Sequence, residues 1–134
     1  VYILDDWNAE MGKFGKVTPY LTGLKNPNSC QFYQDKSGQH WFYLAETDRL
    51  TRRKFTLGET KPTSKAETLA TFPDYGLSYK YGGWHLTRTI AFGSNGKMYV
   101  SVGSSCNACV EKEKVRATVL EMNPNGSSQR IFAK

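Results

Sequence analysis

Apolar positions in this chain come in short β-branched and aromatic groups that alternate with polar ones, and Gly, Pro, Asn, Asp or Ser separates the groups at intervals of about ten residues. Almost nothing carries the 3.6-residue stripe of a helix. The rhythm predicts ten strands: Val1 to Leu4, Lys16 to Leu21, Ser29 to Tyr33, His40 to Ala45, Leu50 to Thr56, Ala66 to Thr71, Thr89 to Phe92, Lys97 to Val102, Ala117 to Asn123 and Gln129 to Ala133. Between the seventh and eighth lies Ser94-Asn95-Gly96, where the Asn-Gly pair predicts a hairpin turn because both residues tolerate positive φ.

The predicted strands repeat in type. Cys30 to Tyr33 followed by Trp41 to Ala45 recurs as Ile90 to Gly93 followed by Met98 to Val102, with Gly38 or Gly96 in the connecting turn. A second kind of pair recurs as Val1 to Leu4 with Val17 to Leu21, Leu50 to Phe55 with Ala66 to Ala70, and Val119 to Met122 with Arg130 to Phe132. The period of about 50 to 60 residues is that of a four-stranded β-propeller blade. The chain therefore reads as an all-β, incomplete β-propeller of roughly two and a half blades: outer strands of one blade in 1–24, a full blade in 25–72, and the next in 73–134. Propellers close with about four to eight blades, so the remaining ones are expected from the same or another chain.

Composition fits one folded domain: 134 residues, 39% hydrophobic and 13% aromatic. No run of about 18 apolar residues occurs, which excludes a predicted membrane-spanning helix. The formal charge of +6 is spread out, and the longest basic clusters are Arg52-Arg53-Lys54 and Lys112 to Arg116, the latter interleaved with Glu111 and Glu113. Both read as solvated faces, and no nucleic-acid partner is expected.

Candidate chemistry concentrates between Gly82 and Cys109. His85 and Arg88 precede a strand, where loops commonly carry function. From spacing alone His85 reads more readily as a satisfied residue at the strand entrance than as a base. Cys106 and Cys109 form a Cys-x-x-Cys pair in a Ser- and Gly-rich loop after a strand, which suits a local disulfide in an oxidising compartment. Two unpaired buried thiols, with Cys30 a small core residue, are the alternative. A zinc module would want four ligands, and His40 and His85 are distant from the pair, so no metal-ligating residue is assigned. Asp5-Asp6-Trp7-Asn8 lacks the regular oxygen spacing of a calcium loop. Tyr79 and Tyr81 with Trp84 could form a sugar-stacking platform or simple packing.

The segment GGWHLTRTIAFGSNGKMYVSVGSSCNAC over positions 82–109 resembles the soluble pyrroloquinoline-quinone (PQQ)-dependent sugar dehydrogenases, in particular their sorbosone dehydrogenase branch. A looser likeness extends through Asn123 to Ser127, and upstream through Val1 to Asp6, Gly23-Leu24 with Pro27, and Tyr43 to Thr47.

The resemblance implies oxidation of an aldose or sugar aldehyde. His85 would be the general base that takes the hydroxyl proton, since a neutral imidazole suits that task near neutral pH. Hydride would pass from substrate carbon to a quinone held by calcium. Arg88 would contribute a cation near the quinone carboxylates or the developing negative charge, and Asn107 a polar contact, with Cys106 and Cys109 holding the cofactor-side loop rigid. It also implies a periplasmic or secreted protein and a cytochrome or other electron acceptor. Departures are Trp84 where glucose-oxidising relatives carry an acid, a longer aromatic FPDYGLSYKY segment, and Ser29 for a Gly. A further Gly-Leu-Arg-Asn motif would follow Lys134, as would blades holding most calcium and quinone ligands. The other reading is a non-catalytic propeller serving as a binding or scaffold module.

Overall fold

The computed structural model describes residues 1–78 and 83–134, and it is all-β apart from one 3₁₀ turn at Tyr75–Leu77. Ten strands form three open antiparallel sheets: a hairpin of β1 (Tyr2–Asn8) and β2 (Lys13–Pro19), a four-stranded meander of β3 (Ser29–Gln34), β4 (His40–Ala45), β5 (Arg49–Phe55) and β6 (Glu67–Thr71), and a second of β7 (Arg88–Phe92), β8 (Met98–Val102), β9 (Thr118–Met122) and β10 (Arg130–Ala133).

The first meander is the middle layer, and its sequence shows why. β4 is apolar throughout, HWFYLA, so both of its faces need cover. Trp41, Tyr43 and Ala45 face the second meander and pack with Leu50, Ile90, Met98, Val100, Val102, Leu120 and Met122. Phe42 and Leu44 face the other way, against Tyr20 and the partly buried Val1 and Ile3 of the hairpin layer. Each fully buried aliphatic side chain in such a core contributes about 1.5–3 kcal/mol. β3 runs beside β7, and the Ser29 hydroxyl accepts from the Ile90 N–H at 3.1 Å. Tyr43 donates its hydroxyl to Pro124 O at 2.8 Å, fixing the far ends of the same two sheets.

Three expectations need correction. β1 and β2 run to Asn8 and from Lys13, well past the predicted Leu4 and Lys16, because Trp7 and Phe14 pair across the strands at 4.9 Å and offset the poor β propensity of Asp5 and Asp6. The Asn95-Gly96 turn has positive φ only at Gly96 (φ 74). It is a three-residue turn closed by Gly93 and Lys97, in which Asn95 instead caps the Lys97 N–H with its side chain. Cys30 is an exposed free thiol, not a core residue.

Antiparallel pairing decides where the site lies. Arg88 is opposite Val102, so the segment before β7 and the segment after β8 leave the sheet at the same end. His85 and the Cys106–Cys109 loop are thereby neighbours. The turns at 35–38, 94–97 and 123–126 lie at the opposite end.

Candidate functional site

His85 sits three residues before β7, exposed, with its backbone in the left-handed region at φ 43. A non-glycine residue held there stores strain of about 1–3 kcal/mol, which persists only where surrounding contacts impose it. Those contacts are all present. The four carbonyls of residues 84–87 each accept a hydrogen bond: Trp84 O from Arg116 Nη2 at 2.6 Å, His85 O from Arg88 Nη1 at 3.3 Å, Leu86 O from the Thr47 hydroxyl at 3.1 Å, and Thr87 O from Arg88 Nη1 at 2.8 Å. The loop is suspended from two guanidinium groups and one hydroxyl.

Both arginines are fully buried. Arg88 Nη2 also donates to Pro73 O at 3.0 Å, and Arg116 Nη2 to Ser104 O. Arg88 lies 5.5 Å from the centre of the Phe72 ring, and Arg116 equally far from that of Tyr75. Burial pushes the Arg88 guanidinium down to about 10, the neighbouring Arg116 charge adds to this, and Asp74 opposes it. Burial lowers Arg116 as well, against Tyr75 and Glu111. Arg88 Nε and Arg116 Nε and Nη1 are buried without a hydrogen-bond partner among the described residues.

Ser104 fixes the imidazole. Its hydroxyl donates its single proton to Cys106 O at 2.8 Å, so it can only accept from His85 Nδ1, which is 2.8 Å away. Ser104 O, an acceptor only, is 3.3 Å from the same nitrogen. Both neighbours demand Nδ1–H. In the neutral ring the lone pair is therefore on Nε2, away from the loop that holds it. Close approach of the two segments depends on Gly103, where a Cβ would collide with His85 O and lie 2.9 Å from His85 Cβ.

The second loop is tied to itself. Cys106 and Cys109 are disulfide-bonded with their Cα atoms 6.1 Å apart, and Asn107 is exposed between them. Glu111 accepts from the Ser105 N–H at 2.7 Å and from the Ser105 hydroxyl at 2.6 Å. Burial acts to raise the Glu111 carboxyl, but these bonds and the charges of Arg116 and Lys134 outweigh it and hold the group below its ordinary value.

The sequence-predicted residues are thus partly brought together. His85, Asn107 and the two cysteines share one end of the second sheet. Arg88 meets His85 only at its backbone carbonyl; its own side chain is turned into the protein and spent on Pro73, His85 and Thr87. Trp84 is 44% exposed with its ring 6.5 Å from that of His85, while Tyr79 and Tyr81 lie outside the described residues. His40 is half-buried at the start of β4, 3.3 Å from Gln34 Nε2. Ser104 and Arg116 were missed. Nothing in a Ser-Ser pair marks one hydroxyl as an imidazole partner, and Arg116 belongs to a charge-rich run read as solvated, which its burial corrects.

Among the described residues the one grouping of His, Cys, Asp and Glu ligand atoms is Cys106, Cys109 and Glu111. That sulfur-rich set does not suit calcium, which takes about six to eight oxygens. The His85 imidazole and the Asn107 amide are both exposed at this end of the sheet. No helix among the described residues is long and apolar enough to cross a membrane. No protein-family model matches the chain, and neither the curated proteins nor the solved structures contain a match.

Proposed function

We propose that this chain is part of a PQQ-dependent dehydrogenase of β-propeller architecture that oxidises an aldose or sugar aldehyde, with His85 as general base. The observation that carries the reading is the imidazole itself: Nδ1–H is committed to Ser104, and Nε2 is left as the acceptor on an exposed, strained and fully braced loop. A base so held needs no tautomer change before it takes a substrate hydroxyl proton. The quinone, when bound, supplies the hydride acceptor. His85 and Asn107 are the residues of this chain that would face it. Arg88 enters as a positioning residue, because its donors hold the carbonyls of His85 and Thr87.

Two four-stranded meanders in succession, with β3 beside β7, support the propeller reading, since adjacent blades bring their first strands together. The disulfide supports a periplasmic or secreted setting. A cytochrome or other acceptor would then take the electrons.

A second reading, a propeller used as a binding or scaffold module, is favoured by a cleft of about 670 Å³ at the opposite end of the sheets, lined by Tyr33, Asp35, Lys36, Trp41, Arg52 and Lys97 and, among the described residues, by no histidine. Titration of the full-length protein with calcium and PQQ separates the two. Saturable quinone binding followed by aldose-dependent dye reduction supports the dehydrogenase; absence of quinone binding contradicts it and leaves the module.

A further inference from the structure

The disulfide loop holds a group that the dehydrogenase reading does not use. One ligand atom each from Cys106, Cys109 and Glu111 lie within 4.8 Å of one another. Two of those atoms are the sulfurs of one disulfide, so their closeness is the bond's own; what the structure adds is a Glu111 carboxylate oxygen within 4.8 Å of both, near enough to share one ion with them once they part to the ~3.8 Å of a tetrahedral site with sulfur bonds of about 2.3 Å. The two-residue gap between the cysteines is the spacing common among zinc-binding thiol pairs. Glu111 is held in place by the Ser105 N–H and hydroxyl, at 2.7 and 2.6 Å, and each carboxylate oxygen keeps a second lone pair. Ser105 Oγ is also 3.8 Å from Cys109 Sγ, so a single residue touches two of the three ligands.

We propose that, once the disulfide is reduced, Cys106, Cys109 and Glu111 bind one thiophilic divalent cation of the zinc class, with the fourth position open to water. The disulfide and the metal exclude each other, because a sulfur bonded to its partner has no thiolate to offer. A dithiol reductant supplies the two electrons and two protons, becoming a disulfide itself, and the S–S bond breaks to two thiols. Binding then releases the two thiol protons as both sulfurs coordinate. The loop is therefore a redox-gated metal site. Softness selects the ion: two thiolates and one carboxylate favour zinc or cobalt over calcium or magnesium. The inference stands apart from the proposed sugar oxidation and from PQQ.

The test uses the chain in a Cys30→Ser background, which removes the exposed free thiol as a competing ligand. A water-soluble phosphine reduces the disulfide, becoming the phosphine oxide with its oxygen from water, and cobalt(II) is titrated in without air. The reduced protein is expected to take up one cobalt with a thiolate charge-transfer band and release of about two protons per ion; the oxidised protein is expected to show neither. Glu111→Gln should weaken binding about 10-fold or more, and Ser105→Ala, which frees the carboxylate, by about 10-fold. Recovery of the original near-ultraviolet circular dichroism after reoxidation checks that reduction left the fold intact. In unsubstituted reduced protein, zinc should slow alkylation of Cys106 and Cys109 while leaving Cys30 as fast as before. A reduced protein without the charge-transfer band, a Cys106→Ser variant that keeps it, or equal alkylation of all three thiols in zinc would overturn the proposal.

Discussion

His85 Nδ1 lies 2.8 Å from Ser104 Oγ, whose only proton is given to Cys106 O, so the hydroxyl dictates which nitrogen of the imidazole carries hydrogen. Removing it should loosen that choice. One such hydrogen bond is worth about 0.5–1.5 kcal/mol, a factor of about 2–10 in the tautomer ratio. In Ser104→Ala the remaining acceptor is Ser104's own carbonyl position at 3.3 Å. Long-range nitrogen-15 NMR of His85 should show a dominant Nδ1–H form in the parent protein and a larger Nε2–H fraction in the variant. An unchanged ratio would mean that the hydroxyl has no such role.

Arg88 is a structural cation in this arrangement. Its guanidinium serves Pro73 O, Thr87 O and His85 O, and Asp74 is the acid whose charge acts on it. Arg88→Met would remove a buried charge, which can be favourable, but would orphan the Pro73 and His85 carbonyls, each costing about 1–3 kcal/mol, and leave Thr87 O with the Gly103 N–H at 3.4 Å. The expected balance is a loss of about 3 kcal/mol or more, read from the urea midpoint. A variant as stable as the parent would contradict the bracing role.

Gly103 sets how closely the two loops approach. Gly103→Ala introduces a Cβ that meets His85 O and sits 2.9 Å from His85 Cβ, neither of which is the free end of a flexible side chain. The expected cost is about 1–3 kcal/mol together with a displaced His85, visible as a changed imidazole environment by NMR. No change in either measurement would show that the segments have room to separate.

The strand pattern was legible because burial alternates where the sequence does. Ile90, Met98, Val100 and Leu120 fall on the face that meets Trp41 and Tyr43, as their spacing predicts. What the pattern could not show is pairing between residues distant in sequence. Trp7 and Phe14 extend the first hairpin through acids that disfavour strands, and the turn at Asn95-Gly96 takes the form its flanking pair Gly93 and Lys97 imposes. The site was legible in part for the same reason. His85 and the cysteines stood out by residue type, whereas Arg116 became visible only once the fold brought carbonyls of Trp84 and Ser104 to its guanidinium.

Asp35 links stability to acid. The Ser37 hydroxyl, the Trp41 ring N–H and the Ser37 and Gln39 N–H groups bond its carboxylate and hold it down at about 2, from an ordinary 3.8. A folded value below the unfolded one means that the stabilisation is complete above 3.8 and is lost as the pH falls through about 2. Trp41 emission followed during acid unfolding should show this loss in the parent protein. In Asp35→Asn the pH dependence from this group should vanish, and stability at neutral pH should be lower. Identical acid profiles would contradict the assignment.

The central claim is that His85 is a base. His85→Asn tests it most directly, because asparagine tolerates the left-handed backbone at φ 43 and the loop can keep its shape. In the full-length protein saturated with quinone and calcium, the prediction is a fall of about 10²–10⁴-fold in kcat for aldose-dependent dye reduction. A variant that turns over at the parent rate would contradict the account.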